Sequence, residues 1–159
     1  FDLIYSNLFL HLSSDFEESL KLIKKVLKPN GFFIATIPDL NNIYQLVNSM
    51  YEADLHFYSG TYQRINPTIN IDDTLSILKK LNFDTPSINT DSFLVEYNDF
   101  KSLLNDIRSM NLSYCMYDKK TKFENKKYFL FLEEIYRNKY YNNCYPLEIK
   151  FNIISAWKK

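Results

Sequence analysis

The chain has 159 residues, enough for one domain with a buried core, since a chain this size hides roughly two-thirds of its unfolded surface. Nineteen basic residues balance nineteen acidic ones, which leaves no whole-molecule field to draw it to nucleic acid or an anionic membrane. Two cysteines, Cys115 and Cys144, are too few for a disulfide framework and lack zinc-site spacing, and no apolar run reaches the ~20 residues needed to span a bilayer. A cytoplasmic location is the expectation, with no basic, apolar leader at the start.

Phe1-Asp2-Leu3-Ile4-Tyr5 reads as a short apolar strand, and Ser6-Asn7 as the polar break after it. Ser14-Asp15-Phe16-Glu17 has capping-box spacing, and Phe16, Leu20, Ile23 and Leu27 recur at three and four, which predicts a helix over about 15–28. Lys28-Pro29-Asn30-Gly31 ends that helix, with Gly31 expected to take a positive φ before the strand Phe32 to Ile37. Six consecutive residues without a charge suit a strand covered on both faces. The sequence therefore opens with a strand, helix, strand unit, a crossover that is almost always right-handed.

A helix is predicted from Asn42 to about Tyr51 on Ile43, Leu46, Val47 and Met50, then an irregular lid over 52–71. Asp72 or Asp73 can cap a helix through Leu75, Leu78 and Leu81, and Pro86 precedes a strand from Ser87 to Tyr97. Asp99 starts a helix bearing Leu103, Leu104, Ile107 and Met110. A further helix runs over 126–141, and Leu147 to Trp157 alternates as a terminal strand.

Three landmarks in order carry a resemblance: Phe1-Asp2-Leu3-Ile4 with Ser6-Asn7-Leu8 and Leu10-His11-Leu12, then Leu27-Lys28-Pro29-Asn30-Gly31, then Phe32 to Ile37. They resemble the fourth strand, the "LKPGG"-type turn and the fifth strand of class I S-adenosylmethionine-dependent methyltransferases. The remaining chain resembles one branch of that family, the methyltransferase-like assembly factors of respiratory complex I, described as arginine hydroxylases. These are similar in turn to the malonyl-carrier-protein methyltransferase of biotin synthesis. The residues concerned are Leu40 to Leu46, Arg64-Ile65-Asn66-Pro67, Asn89-Thr90-Asp91 with Val95-Glu96-Tyr97, Leu104 to Met110, Tyr136-Arg137 and Ile154-Ser155-Ala156-Trp157-Lys158. Departures are Met110-Asn111-Leu112, where the family has a Met-Gly-Glu run, and Thr68, where it has an aromatic residue.

The resemblance implies an α/β fold, the C-terminal half of a Rossmann-like methyltransferase domain. Its strands would be four, five, seven and six in spatial order, with the last strand antiparallel and a helical lid inserted. The glycine-rich turn and the strand-end acidic residues that hold the cofactor in this family are missing from these residues, so residues 1–159 are expected to form a partial domain with one wall of the cofactor crevice. Strand four would be a free apolar edge, prone to pair through Phe1-Tyr5 or to aggregate.

By the same resemblance Ser6, Asn7 and Leu8 lie beside S-adenosylmethionine, with an ordinary strand-end turn as the plain alternative. His11 could act as a base near neutral pH or serve as a packing histidine. With sixteen Lys to three Arg, the arginines stand out as planar bidentate donors. Arg64 in the lid could clamp a substrate carboxylate or form a plain salt bridge, and Tyr44 and Tyr62 could line the same lid. The implied function is methyl transfer from S-adenosylmethionine. Its rivals are complex I assembly through an arginine of a partner subunit, and a non-catalytic binding module. No metal site, P-loop or nucleophile elbow is present in the sequence.

Overall fold

The computed structural model describes residues 1–114 and 124–159. Among these residues four strands, β1 (Leu3–Asn7), β2 (Phe32–Pro38), β3 (Phe83–Tyr97) and β4 (Tyr145–Lys158), form one sheet in the order β1-β2-β4-β3. β1 runs parallel to β2, with Leu3 opposite Phe32 and Asn7 opposite Thr36, while β4 runs antiparallel to β2, from Trp157 opposite Phe32 to Phe151 opposite Pro38. This is the order and sense that the resemblance implied for strands four, five, seven and six.

Among the described residues five α-helices accompany the strands: α1 (Phe16–Val26), α2 (Tyr44–Tyr58), α3 (Ile71–Lys80), α4 (Phe100–Ser109) and α5 (Lys126–Tyr140). The chain divides into two compact units. The first comprises residues 1–40, 67–92 and 150–159, the second residues 41–66 and 93–149.

The first unit has a core of Leu10, Phe16, Leu20, Phe33, Ile37 and Leu78, with further apolar residues from β3 and β4. α1 turns Phe16 and Leu20 into that core, and its cap is Asp15, whose carboxylate accepts the Glu18 N–H at 2.8 Å. The N-cap is thus one residue later than the Ser14 spacing suggested, and the Asp15 N–H goes to Ser13 Oγ. On the paired strands Phe32 and Trp157 place their rings 4.5 Å apart, a cross-strand aromatic contact of the kind that fixes register. In the turn before β2, Asn30 carries the positive φ of 62°, and Gly31 does not. Gly31 is needed for space: a Cβ there would meet the carbonyl oxygens of Lys28 at 2.9 Å and Phe1 at 3.1 Å. α3 is capped by Asn70, which accepts the Asp73 N–H at 2.7 Å, in place of the expected Asp72 or Asp73.

β1 extends to Asn7, so Ser6 and Asn7 belong to the strand and the break comes at Leu8, whose φ is 49°. Likewise β3 begins at Phe83 and runs through Pro86. Pro86 has no N–H to give, and an outermost strand is where a sheet tolerates that loss.

In the second unit α2 packs against α5, and Ile43, Leu46, Leu103, Tyr128, Leu132 and Leu147 are wholly buried. α2 continues about two turns beyond the predicted end at Tyr51. Its period was hidden because it buries the polar residues Gln45, Ser49 and Asp54 while leaving Tyr51 and Leu55 exposed. The irregular stretch shrinks accordingly to 59–70, tied by an isolated bridge between Ile65 and Ser113. Cys115 lies outside the described residues, and Cys144 is a free thiol. Among the described residues no helix is long and apolar enough to cross a membrane.

Candidate functional site

In the first unit the carboxyl ends of the parallel strands β1 and β2 meet in a small polar junction. Leu8 leaves β1 in the left-handed region and gives its N–H to both the Thr36 carbonyl at 3.1 Å and the Thr36 Oγ1 at 3.2 Å. The Thr36 hydroxyl in turn donates to Asn7 Oδ1. This lock holds the turn in a conformation that a bulky apolar residue adopts only at a cost. Ser6, one residue earlier, has its Oγ buried with no hydrogen-bond partner among the described residues. His11 follows in a 3-10 turn, Leu10–Leu12, and is 7% exposed. Ser6, Asn7 and Leu8 are thereby gathered at one strand end, as their sequence positions suggested.

A second polar chain lies just beyond the same, carboxyl end of β2. Asn152 on β4, 1% exposed, gives its amide N–H to Asp39 Oδ2 at 3.1 Å and accepts from the Thr90 hydroxyl at 2.7 Å. The Asp39 N–H is itself bound to the Lys150 carbonyl at 3.0 Å. Neither Thr36 nor the Asp39, Asn152 and Thr90 group was recognised from sequence. Thr36 was the sole polar side chain in the run Phe32 to Ile37, and Asp39 directly follows the proline that ends the strand, so both left a faint trace.

β1 carries the other feature of this unit. Its sole sheet neighbour among the described residues is β2, and Phe1, Leu3, Tyr5 and Phe9 are 70%, 53%, 75% and 69% exposed. A free strand edge flanked by large apolar side chains invites pairing with another strand.

In the second unit the lid residues Tyr62 and Arg64 converge on a buried carboxylate. Asp54 on α2 is completely buried. Its two oxygens accept from Arg64 Nε at 2.9 Å each, from the Tyr62 N–H at 3.0 Å and from the Tyr128 hydroxyl at 2.9 Å, and Arg64 Nη2 closes the pair. Arg64 also reaches Glu124 at 2.8 Å and lies over the Tyr128 ring, 4.6 Å from its centre. Burial alone would lower the Arg64 pKa, but the hydrogen bonds it donates to Asp54 and Glu124 outweigh it and keep the guanidinium firmly protonated. Burial first, and then the Asp54 charge, push the Tyr128 phenol well above its usual range, partly opposed by Arg64. Arg64 thus forms the salt bridge that was the plain alternative to a substrate clamp, with carboxylates of the chain itself. Tyr44, the first residue of α2, stands apart from this group, with its ring edge-on to Tyr140 at 6.4 Å. Among the described residues no three His, Cys, Asp or Glu gather as a metal site.

Comparison with known proteins agrees with this geometry. A family model described as "Methyltransferase domain" matches residues 1–35, the span of β1, α1 and the start of β2. The arginine-hydroxylase NDUFAF5, mitochondrial, of Mus musculus is 29% identical over 99% of this chain and 46% of its own length, and that of Dictyostelium discoideum 28% over 98% and 36%. Malonyl-[acyl-carrier protein] O-methyltransferase 1 of Coxiella burnetii is 25% identical over 74% of the chain and 39% of its own. The chain thus spans half or less of the length of the curated relatives it matches. Among solved structures, YcgJ of Bacillus subtilis has a TM-score of 0.58 at 12% identity, covering 100% of this chain and 64% of that one. A Bacillus halodurans C-125 protein assigned to the methyltransferases has a TM-score of 0.56 at 13% identity, covering 99% and 70%. The chain therefore has the class I methyltransferase fold, and its sequence is similar along nearly its whole length to the arginine-hydroxylase NDUFAF5 proteins.

Proposed function

We propose that the chain supplies one wall of an S-adenosylmethionine site in a methyltransferase-fold enzyme, and that the free edge at Phe1–Tyr5 pairs with a further segment bearing the rest of that site. The observation that supports this most is the locked polar turn at the carboxyl ends of β1 and β2. Ligands of open α/β sheets sit outside the carboxyl ends of the strands, at the point where the strand order reverses. Ser6, Asn7 and Leu8 form that turn and are the cofactor-side residues.

The fit to the cofactor is one-sided. Asn7 and the buried Ser6 Oγ suit the edge of a polar ligand. The two glycines, Gly31 and Gly60, stand alone and make no glycine-rich turn. The residues present can border the group without enclosing it. When bound, S-adenosylmethionine supplies an activated methyl group, and the chain's own contribution is to orient what lies beside it. His11 is the proposed base. Tyr44 and Tyr62 are the proposed acceptor-side residues, with Arg64 holding the Tyr62 segment through Asp54.

The second reading is hydroxylase-type action on an arginine of a protein partner, with a respiratory complex I subunit as the candidate and with the oxygen atom drawn from an external oxygen donor such as dioxygen, whose second atom is reduced by an external reductant. It is favoured by the extent of the NDUFAF5 similarity, 99% of the chain against 74% for the carrier-protein methyltransferase. The relatives are named mitochondrial, whereas the sequence reading is cytoplasmic. We place the chain in an aqueous, reducing compartment and keep the cytoplasm as the proposal. The test is mass spectrometry of candidate acceptor proteins, incubated with the chain, the remaining portion of an NDUFAF5 relative and methyl-deuterated S-adenosylmethionine. Methyl transfer predicts a labelled methyl group on the acceptor. An unlabelled gain of one oxygen on arginine supports the second reading, and no change across acceptors favours a non-catalytic binding module.

A further inference from the structure

α4 and α5 of the second unit line an open groove of about 230 Å³ that involves none of the residues assigned above. Its apolar lining comes from Phe100 and Leu104 of α4 and Phe129 and Leu130 of α5. Phe100 is buried and fixed by ring contacts to Tyr136 at 5.3 Å and Tyr145 at 5.6 Å. Leu130, by contrast, is 56% exposed, although Leu103 and Leu132 on the same two helices are fully buried. The helices therefore have a satisfied inner face and an additional apolar strip on their outer side. On α4, residues 100, 104 and 108 recur at intervals of four, so the strip runs about 12 Å along the helix.

Charge is distributed unevenly around this strip. Lys101, Arg108 and Lys126 line the groove, and none of them forms a salt bridge to a carboxylate among the described residues. Arg108 spends one N–H on Asn105 at 3.1 Å. The one acid of the lining, Glu133, accepts the Tyr145 hydroxyl at 2.7 Å. A chain with no net charge thus concentrates positive charge beside the exposed Leu130 and the half-buried Leu104 and Phe129.

We propose that this groove docks an acidic amphipathic helix of a partner protein. Apolar side chains of that helix rest on Leu104, Phe129 and Leu130, and its flanking carboxylates face Lys101, Arg108 and Lys126. Two helices with an apolar trough between them seat a third helix through anchors spaced three and four apart. The opposed charges supply orientation and a faster encounter. A small lipid anion fits less well, because a groove lined by two helices and open outward does not wrap the large majority of an acyl chain's surface, as small-molecule sites do.

Fluorescence anisotropy on the full chain tests this without any cofactor, so its result is independent of the proposed activity. The probe is a labelled synthetic helix with leucine on one face and glutamate on its flanks, compared with the same helix carrying lysine in place of glutamate. The acidic helix should bind, and binding should weaken as salt rises. The double variant Lys101→Glu with Arg108→Glu, and separately Leu130→Glu, should each weaken binding about tenfold or more. These side chains are exposed, and an unchanged circular dichroism spectrum shows that the variants fold. Equal binding of the two helices, no binding of either, unaltered affinity in both variants, or full displacement by laurate would each overturn the proposal.

Discussion

The β1 edge and the Asp54 cluster contrast two ways of handling exposed and buried chemistry. In the first unit a strand with two-sided apolar character stands at the end of the sheet, with Leu3 and Tyr5 turned to solvent and Ser6 Oγ buried without a partner among the described residues. In the second unit a fully buried carboxylate is saturated by an arginine, a backbone N–H and a phenol, all from the same unit. A buried charge is tolerated when its partners are complete. An apolar edge is tolerated when something covers it. The second unit meets its condition internally, and the first leaves its own open. That difference is the support for proposing the ligand and pairing surface at β1.

The largest expected effect comes from breaking the closed cluster. Asp54→Ala leaves the Arg64 charge buried with Glu124 as its remaining partner, and should cost about 3–5 kcal/mol in urea unfolding. A loss below about 1 kcal/mol would mean that the cluster is not tightly held.

Next comes Gly31→Ala, where the added Cβ meets two backbone carbonyl oxygens that side-chain motion cannot clear. About 1–3 kcal/mol should be lost, although Gly31 needs no positive φ.

Tyr97 offers a smaller, pH-dependent effect. Burial, and then its hydrogen bond to Asp106 at 3.0 Å, push the phenol up to about 12. Its folded pKa is raised above the ordinary value of 10.0, so its stabilising contribution is complete below pH 10 and is lost as pH rises through about 12. Tyr97→Phe should cost about 1 kcal/mol at neutral pH and flatten the alkaline fall in stability over that window. An alkaline denaturation curve unchanged by the substitution would contradict the assignment.

The smallest change in stability is expected at the edge itself. Leu3→Lys with Tyr5→Lys should alter unfolding by no more than about 0.5 kcal/mol, because both side chains are already exposed. The same variant should suppress self-association in light scattering. A stable monomer before substitution would remove the premise that this edge seeks a partner.

The periodic parts of the fold were legible in the sequence. α1, α3 and α4 separate apolar from polar faces cleanly, and β2 reads as a buried strand, so the sheet order followed once those landmarks were aligned. α2 was cut short because Gln45, Ser49 and Asp54 lie on its buried face, which inverts the signal that periodicity relies on. The positive φ was assigned to Gly31 on residue type, whereas Asn30 tolerates that conformation and Gly31 was needed for the close approach of two carbonyls. Ser6, Asn7 and Leu8 were legible as a group because they are consecutive. Their lock through Thr36, and the link from Asp39 to Asn152 across 113 residues, were not, since pairing between strands distant in sequence leaves no local pattern.

The most direct test is a calorimetric titration of S-adenosylmethionine into the chain alone and into the chain combined with the remaining portion of an NDUFAF5 relative. The chain alone should show no measurable binding and the combination saturable binding, lost again with Leu3→Lys and Tyr5→Lys. Equally tight binding by the chain alone would contradict this expectation, because one wall would then suffice to hold the cofactor.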